Sequence, residues 1–291
     1  RLLNLSKATG RPFNEVLVYY GIERFLYRLS LSRHAGHFTL KGALAMLVWQ
    51  TPVTRPTRDI DLLGQTSNDL AALRDFFSEI CREPVADDGL VFDPTNVTTE
   101  PIAEDADYEG VRVRFQGKLG NARVAMQIDI GFGDVITPAP VEIIYPVLLD
   151  QPAPHLKAYN RETAIAEKLE AMASLGELNT RMKDFFDVWI LARSYDFDGT
   201  VLATAISVTF ARRKTPVEIA PVCFSEDFAK SPVKAAQWKA FVRNLRASDV
   251  PADFDQVIAA VAGFAKPVLD AITGKQAFRT AWRHPGPWTV S

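Results

Sequence analysis

The sequence predicts an α+β protein: a mixed sheet with flanking helices, followed by a helical C-terminal half. Three observations predict it. The stretch RDIDLLG, residues 58–64, alternates charge and aliphatic with the period of two that a strand requires. VRVRFQG (111–117) and ARVAMQIDIGFGD (122–134) alternate likewise, and KLGN between them reads as the turn of an antiparallel hairpin. From about residue 155 the alternation stops and the apolar residues recur at helical spacing. Two domains are therefore expected, 1–154 as the α+β part and 155–291 as a helical part that completes the site cleft.

Taken in order, residues 13–32 place Val16, Tyr19, Tyr20, Glu23, Phe25, Leu26 and Leu29 at helical spacing, which predicts a helix. FTLKGALAMLVWQ reads as a turn at Lys41-Gly42 leading into a short buried helix. The strand RDIDLLG follows. Leu70, Leu73, Phe76, Phe77 and Ile80 then line one face of a helix from about Asp69 to Ile80. After the hairpin, TPAP links to a further strand, VEIIYPVLL. The helical half opens with NRETAIAEKLEAMASLG and is expected to break at RRKTPVEIAP, Pro232, Pro251 and Pro267. Residues 226–291, with Trp238, Trp282 and Trp288, are expected to finish the helical domain.

The 291 residues are 47% hydrophobic, enough for a substantial core, and the net charge of −2 excludes a global basic field. A nucleic-acid partner would have to meet a local patch. Cys81 and Cys223 are far apart and fit no metal spacing, which suits a reducing cytoplasm. His34, His37, His155 and His284 show no ligand spacing either. No run of eighteen apolar residues and no signal-peptide core is seen, so no membrane partner is expected. The chain begins at Arg1 without an initiator Met, and a trimmed start is expected.

On the predicted strand, Asp59 and Asp61 share a face while Ile60 turns into the core. Asp129, flanked by isoleucines in MQIDIGFG, is the third candidate. Three carboxylates on neighbouring strands repel unless a cation lies between them, and hard oxygen donors select Mg²⁺ or Mn²⁺. The competing reading of a lone D-x-D is a solvated edge strand. Gly42 would let the backbone approach a phosphate at the start of a helix, beside Lys41; the plain alternative is a turn glycine.

ERFLYRLSLSRHAGHFTLKGALAM, RPTRDIDLLG, IDIGFGD, AEKLEAM and TRMKDFFDVW, in this order, together resemble the AbiEii-type toxin family, within the polymerase-β-like nucleotidyltransferase superfamily. The resemblance extends through FARRKTPV, and it departs from the family at Ala43, where a second glycine is usual. It implies a polymerase-β-like core and a toxin of a type IV toxin–antitoxin system. Such an enzyme moves a nucleoside monophosphate from an NTP to an acceptor, the 3′ end of tRNA, and blocks translation; a cognate antitoxin is its partner. The implied metal ligands are Asp59, Asp61 and Asp129, with Mg²⁺ or Mn²⁺ as cofactor. Lys41, Gly42, Ala43, Arg58, Lys168 and Asp184 are the expected nucleotide contacts.

Two further segments carry chemistry. In AIAEKLEAMA, Lys168 falls on the apolar stripe of Ile165, Leu169 and Met172, with Glu167 and Glu170 off it. An inward lysine needs an anionic partner, a phosphate or the carboxylates, unless it snorkels at the stripe's edge. The resemblance makes this lysine functional. In TRMKDFFDVW, Asp184 and Asp187 are expected beside the packing stripe, not within it, with Arg181 and Lys183 as local partners. The resemblance makes one of these acids essential, and Asp187 is preferred. Arg212, Arg213 and Lys214 form a basic cluster, read either as a solvated helix end or, with Arg181, Lys183, Arg55 and Arg58, as a patch for RNA phosphates. The rival functions are nucleotidyl transfer to a small-molecule or protein hydroxyl, and a non-catalytic nucleotide- or antitoxin-binding module.

Overall fold

The computed structural model describes residues 1–51, 56–105, 108–245 and 249–290, with the side chains of 103–109 outside it. Arg55 lies outside the described residues. The chain divides into two compact units. The first comprises Arg1–Trp49, Thr57–Gly133 and Val141–Ala158; the second Gln50–Pro56, Asp134–Pro140 and Tyr159–Ser291.

The first unit is a mixed sheet with helices. Helix α1 (Leu2–Thr9) ends at Gly10, and α2 (Phe13–Leu31) follows Pro12. Strand β1 (Phe38–Lys41) leads straight into α3 (Gly42–Val48), so of the expected turn Lys41 ends the strand and Gly42 begins the helix. Then come β2 (Asp59–Gly64), α4 (Leu70–Cys81), β3 (Leu90–Phe92), β4 (Thr98–Asp105), β5 (Tyr108–Leu119), β6 (Ala122–Phe132), β7 (Val141–Ile144) and β8 (His155–Ala158). The strand order is β3-β5-β6-β2-β1-β8-β7, with β4 also on β5. The pairs β2–β6 and β1–β8 are parallel and the remainder antiparallel.

Helix α2 lies on β6, and Gly21 permits it: a Cβ there would come within 2.8 Å of the Val124 side chain. Phe25 of α2 stacks on Phe77 of α4 at 5.9 Å and meets Phe92 edge-on at 5.7 Å. Each such buried ring contributes roughly 1.5–3 kcal/mol. The same helix buries charge only where it is paired. Arg28 donates to Asp88 at 2.7 Å, and Glu23 pairs with Arg24 at 2.9 Å while accepting the Leu148 N–H. Unpaired, these groups would cost several kcal/mol each.

The second unit contains α5 (Arg161–Leu175), α6 (Met182–Ser194), β9 (Phe197–Asp198), α7 (Gly199–Arg212), α8 (Glu226–Lys230), α9 (Pro232–Val242), α10 (Phe254–Thr273), β10 (Thr280–Trp282) and β11 (Trp288–Val290). Asn160 caps α5 by accepting the Thr163 N–H at 2.7 Å, and Asp198 caps α7. Two expectations are corrected. The chain after residue 226 does not finish as helices alone, because β9, β10 and β11 form a small antiparallel sheet. Pro267 does not break the chain but lies inside α10. Its ring would crowd the carbonyl of residue 263, a glycine, but Val257, Val261, Phe264 and Val268 along the helix are buried in the core, which holds the helix through the missing hydrogen bond. Among the described residues α10 alone is long and apolar enough to cross a membrane, and half of its apolar window is buried inside the fold.

Candidate active site

The three strand aspartates are brought to one face of the first unit's sheet. Parallel pairing of β2 with β6 sets Asp61 opposite Asp129. Antiparallel pairing sets Lys41 opposite Asp61 on one side and Arg112 opposite Asp129 on the other. Directly paired residues point the same way, so four strands carry a row of charges: Lys41, Asp61, Asp129, Arg112. Asp59, two residues before Asp61, shares their face one step along the strand. Asp59, Asp61 and Asp129 are half-buried, while Ile60, Leu62, Ile128 and Ile130 between them are core. This is why aliphatics and acids alternate in both segments.

Arg112 escaped the sequence reading. It donates from Nε and Nη to both oxygens of Asp129, at 2.7 and 2.8 Å. That hydrogen bonding pushes its guanidinium above the usual range against the opposing effect of burial, with Asp129, Asp59 and Glu100 adding attraction. The signal was present in the alternation V-R-V-R, but only the strand register turns it towards Asp129.

Gly42 begins α3 with φ +69°, left-handed backbone, and a Cβ there would stand 2.0 Å from Oδ2 of Asp61. The glycine is required by a carboxylate of the same site, whatever it does for a phosphate. Ala43 is buried, and Arg58 is exposed at the entry to β2.

The second unit holds its own cluster. Lys168 on α5 reaches Asp187 at 2.7 Å and Asp184 at 3.3 Å, both on α6, and Arg181 reaches Asp184 at 2.9 Å. The inward lysine thus has an anionic partner built into the protein. Both aspartates are fully buried, which corrects their expected place beside the core. Helix α6 is covered on nearly every side, from Asp184 to Ala192, so its apolar stripe does not mark its only buried face. Lys183 is exposed.

The basic segment divides. Arg212 and Lys214 are exposed. Arg213 turns inward to Asp134 at 3.1 Å, Glu170 at 2.7 Å and Glu167 at 3.5 Å, so it is not the solvent-facing cation that an RNA patch asks for. Glu170 is buried, although the helical spacing set it off the stripe.

Among the described residues no three acids, histidines or cysteines are gathered as one metal-binding group. The donor set still suits a hard divalent ion. Asp59 and Asp61 offer carboxylate oxygens on one face, and Asp129 stands in register beside Asp61 with Arg112 as its present partner.

Comparison with known proteins adds the family. The model of the nucleotidyl transferase AbiEii toxin, type IV toxin–antitoxin system, matches residues 24–260. No curated protein matches. Two solved structures from Helicobacter pylori are similar. JHP933 is 15% identical over 87% of this chain and 90% of its own, with a TM-score of 0.49. A protein provisionally described as a nucleotidyltransferase is 14% identical over 90% and 96%, with a TM-score of 0.47. Nucleotidyl transferases of this kind generally use a divalent metal, and a type IV system implies an NTP substrate and an antitoxin partner. The chain, with its match over most of its length, belongs to the AbiEii nucleotidyl transferase toxin family.

Proposed function

We propose that this protein transfers a nucleoside monophosphate from an NTP to the 3′ end of tRNA and thereby stops translation in the cytoplasm. The acceptor 3′ oxygen bonds to the α-phosphorus, the bond to the bridging α–β oxygen breaks, and pyrophosphate leaves. The observation that carries the reading is the register of Asp61 with Asp129, with Asp59 on the same face and Gly42 against Asp61.

Asp59, Asp61 and Asp129 would hold Mg²⁺ or Mn²⁺, which when bound neutralises triphosphate charge and stabilises the leaving pyrophosphate. Asp129, oriented by Arg112, is the base that would take the proton of the attacking hydroxyl. In the first unit Lys41, the Gly42–Ala43 backbone and Arg58 would bind phosphate oxygens; in the second, Lys168 is the cation offered to phosphate. Asp187 and Asp184 hold Lys168 in place. Arg181, Lys183, Arg212 and Lys214 offer cations to the acceptor's backbone.

Incubation with each α-labelled NTP, Mg²⁺ or Mn²⁺, and total tRNA, protein extract or small hydroxyl compounds tests this. Label at the 3′ end of tRNA is the expected result. Label on protein or on small molecules overturns the acceptor while keeping the chemistry. Absence of transfer to all three overturns both.

A further inference from the structure

Helix α5 carries charge on two faces. Glu167 and Glu170, three apart, share one face; Lys168 lies about 100° round the helix from Glu167. The first face is gripped by Arg213, at the C-terminal end of α7. Its Nη1 donates to Glu170 at 2.7 Å, while Nε and Nη2 both donate to Asp134 at 3.1 Å and Nη2 lies 3.5 Å from Glu167. The carboxylates are fastened in turn. Thr215 donates to Glu170 at 2.5 Å and Tyr159 to Glu167 at 2.8 Å. The Arg213 side chain is only 20% exposed and that of Asp134 3%. Asp134 closes the segment IDIGFGD, and Arg213 and Thr215 belong to ARRKTP. Two motifs distant in sequence thus meet on α5.

We propose that Arg213 is a positioning residue: by holding Glu167 and Glu170 it fixes the rotation of α5, and so sets Lys168 against Asp187. The planar fork is needed because three carboxylates converge on it from different elements. A lysine would keep the charge and lose the geometry. Burial opposes the charged form, but the attraction of Glu167, Asp134 and Glu170 wins and keeps it protonated.

The inference rests on Lys168 serving the transfer reaction, and its test separates the two. R213K and R213A are compared with the parent protein by thermal midpoint, by kcat/KM for labelled NTP, and by the rate at which a small amine-acylating reagent modifies Lys168, mapped by mass spectrometry. R213K should fold with a small change in midpoint. Its kcat/KM should fall on the order of 10²-fold, as displacement of a substrate-holding group by about 1 Å does. Lys168 modification should speed up several-fold, because an amine no longer held against Asp187 is more open to the reagent. Should R213A fail to fold, R213K and E167Q carry the test. Unchanged Lys168 modification and unchanged kcat/KM in folded R213K would overturn the proposal and leave Arg213 a purely structural tie. If the parent protein transfers no nucleotide, the functional reading fails, and Lys168 modification alone still decides whether Arg213 positions it.

Discussion

At position 42 a single methyl group suffices to disturb the carboxylate site. Gly42→Ala would place that methyl 2.0 Å from Asp61 Oδ2 and demand left-handed backbone from alanine. The backbone strain costs roughly 1–3 kcal/mol. The carboxylate must also swing away, so transfer should fall far more than the urea midpoint. A variant with parental activity would show that Asp61 can move without consequence. Asp59→Asn and Asp61→Asn are expected to do the reverse: no transfer of labelled NMP, with the thermal midpoint kept or slightly raised as like charges are removed. The glycine and both acids were legible in the sequence. The cause that joins them was not, because the approach of Asp61 to the Gly42 Cα is a contact between strand and helix start.

The pairing of α5 with α6 sets a different balance between stability and activity. From the sequence alone, Lys168→Ala should cost activity and little stability. Since Lys168 lies between two fully buried aspartates, its removal takes a cation from both, although Arg181 still reaches Asp184, and should cost about 3–5 kcal/mol. Lys168→Met combined with Asp187→Leu should recover much of that stability and no activity, as chemical denaturation and labelled-NTP transfer would reveal. Helix α4 offers an electrostatic test in the first unit. Glu79 accepts from His34 and from Arg33, and these hydrogen bonds hold its carboxyl below the usual glutamate range. A depressed acid stabilises the fold above its unfolded pKa, and that contribution is lost as pH falls through the folded value. Glu79→Gln should therefore flatten the acid limb of a stability–pH curve; an unaltered limb would mean that the pairing is matched in the unfolded chain. Lys168's inward placement was readable from helical spacing. The burial of Asp184 and Asp187 was not, because α6 is enclosed on nearly all sides and its spacing reports only the apolar part of its surroundings.

For the whole molecule, a net charge of −2 leaves RNA binding to local cations. With Arg213 committed to three carboxylates, the exposed members of its cluster are Arg212 and Lys214. Replacing both with alanine should reduce the dependence of log K on log salt by about 1.4 for single-stranded RNA, at about 0.7 for each phosphate that is no longer neutralised. Affinity for NTP should be unaffected. Titration of RNA from low to high salt, with NTP binding measured alongside, checks this, and an unchanged slope would identify the cluster as a solvated helix end.

Alternation and helical spacing determined the α+β order of this chain, because burial on one face leaves a local period of two or 3.6. The same local pattern singled out Asp59, Asp61, Asp129 and Lys168, where charge interrupts an apolar rhythm. Short strands such as β1, β8 and β9 are too brief to show a period. Tertiary structure alone decided the partners: Arg112 on Asp129, Arg213 on Asp134, Lys168 on Asp187. Each pair joins different elements, and strand register or helix rotation is set by packing across the core. A charged residue in sequence shows that it needs a partner; only the fold brings one within about 3 Å.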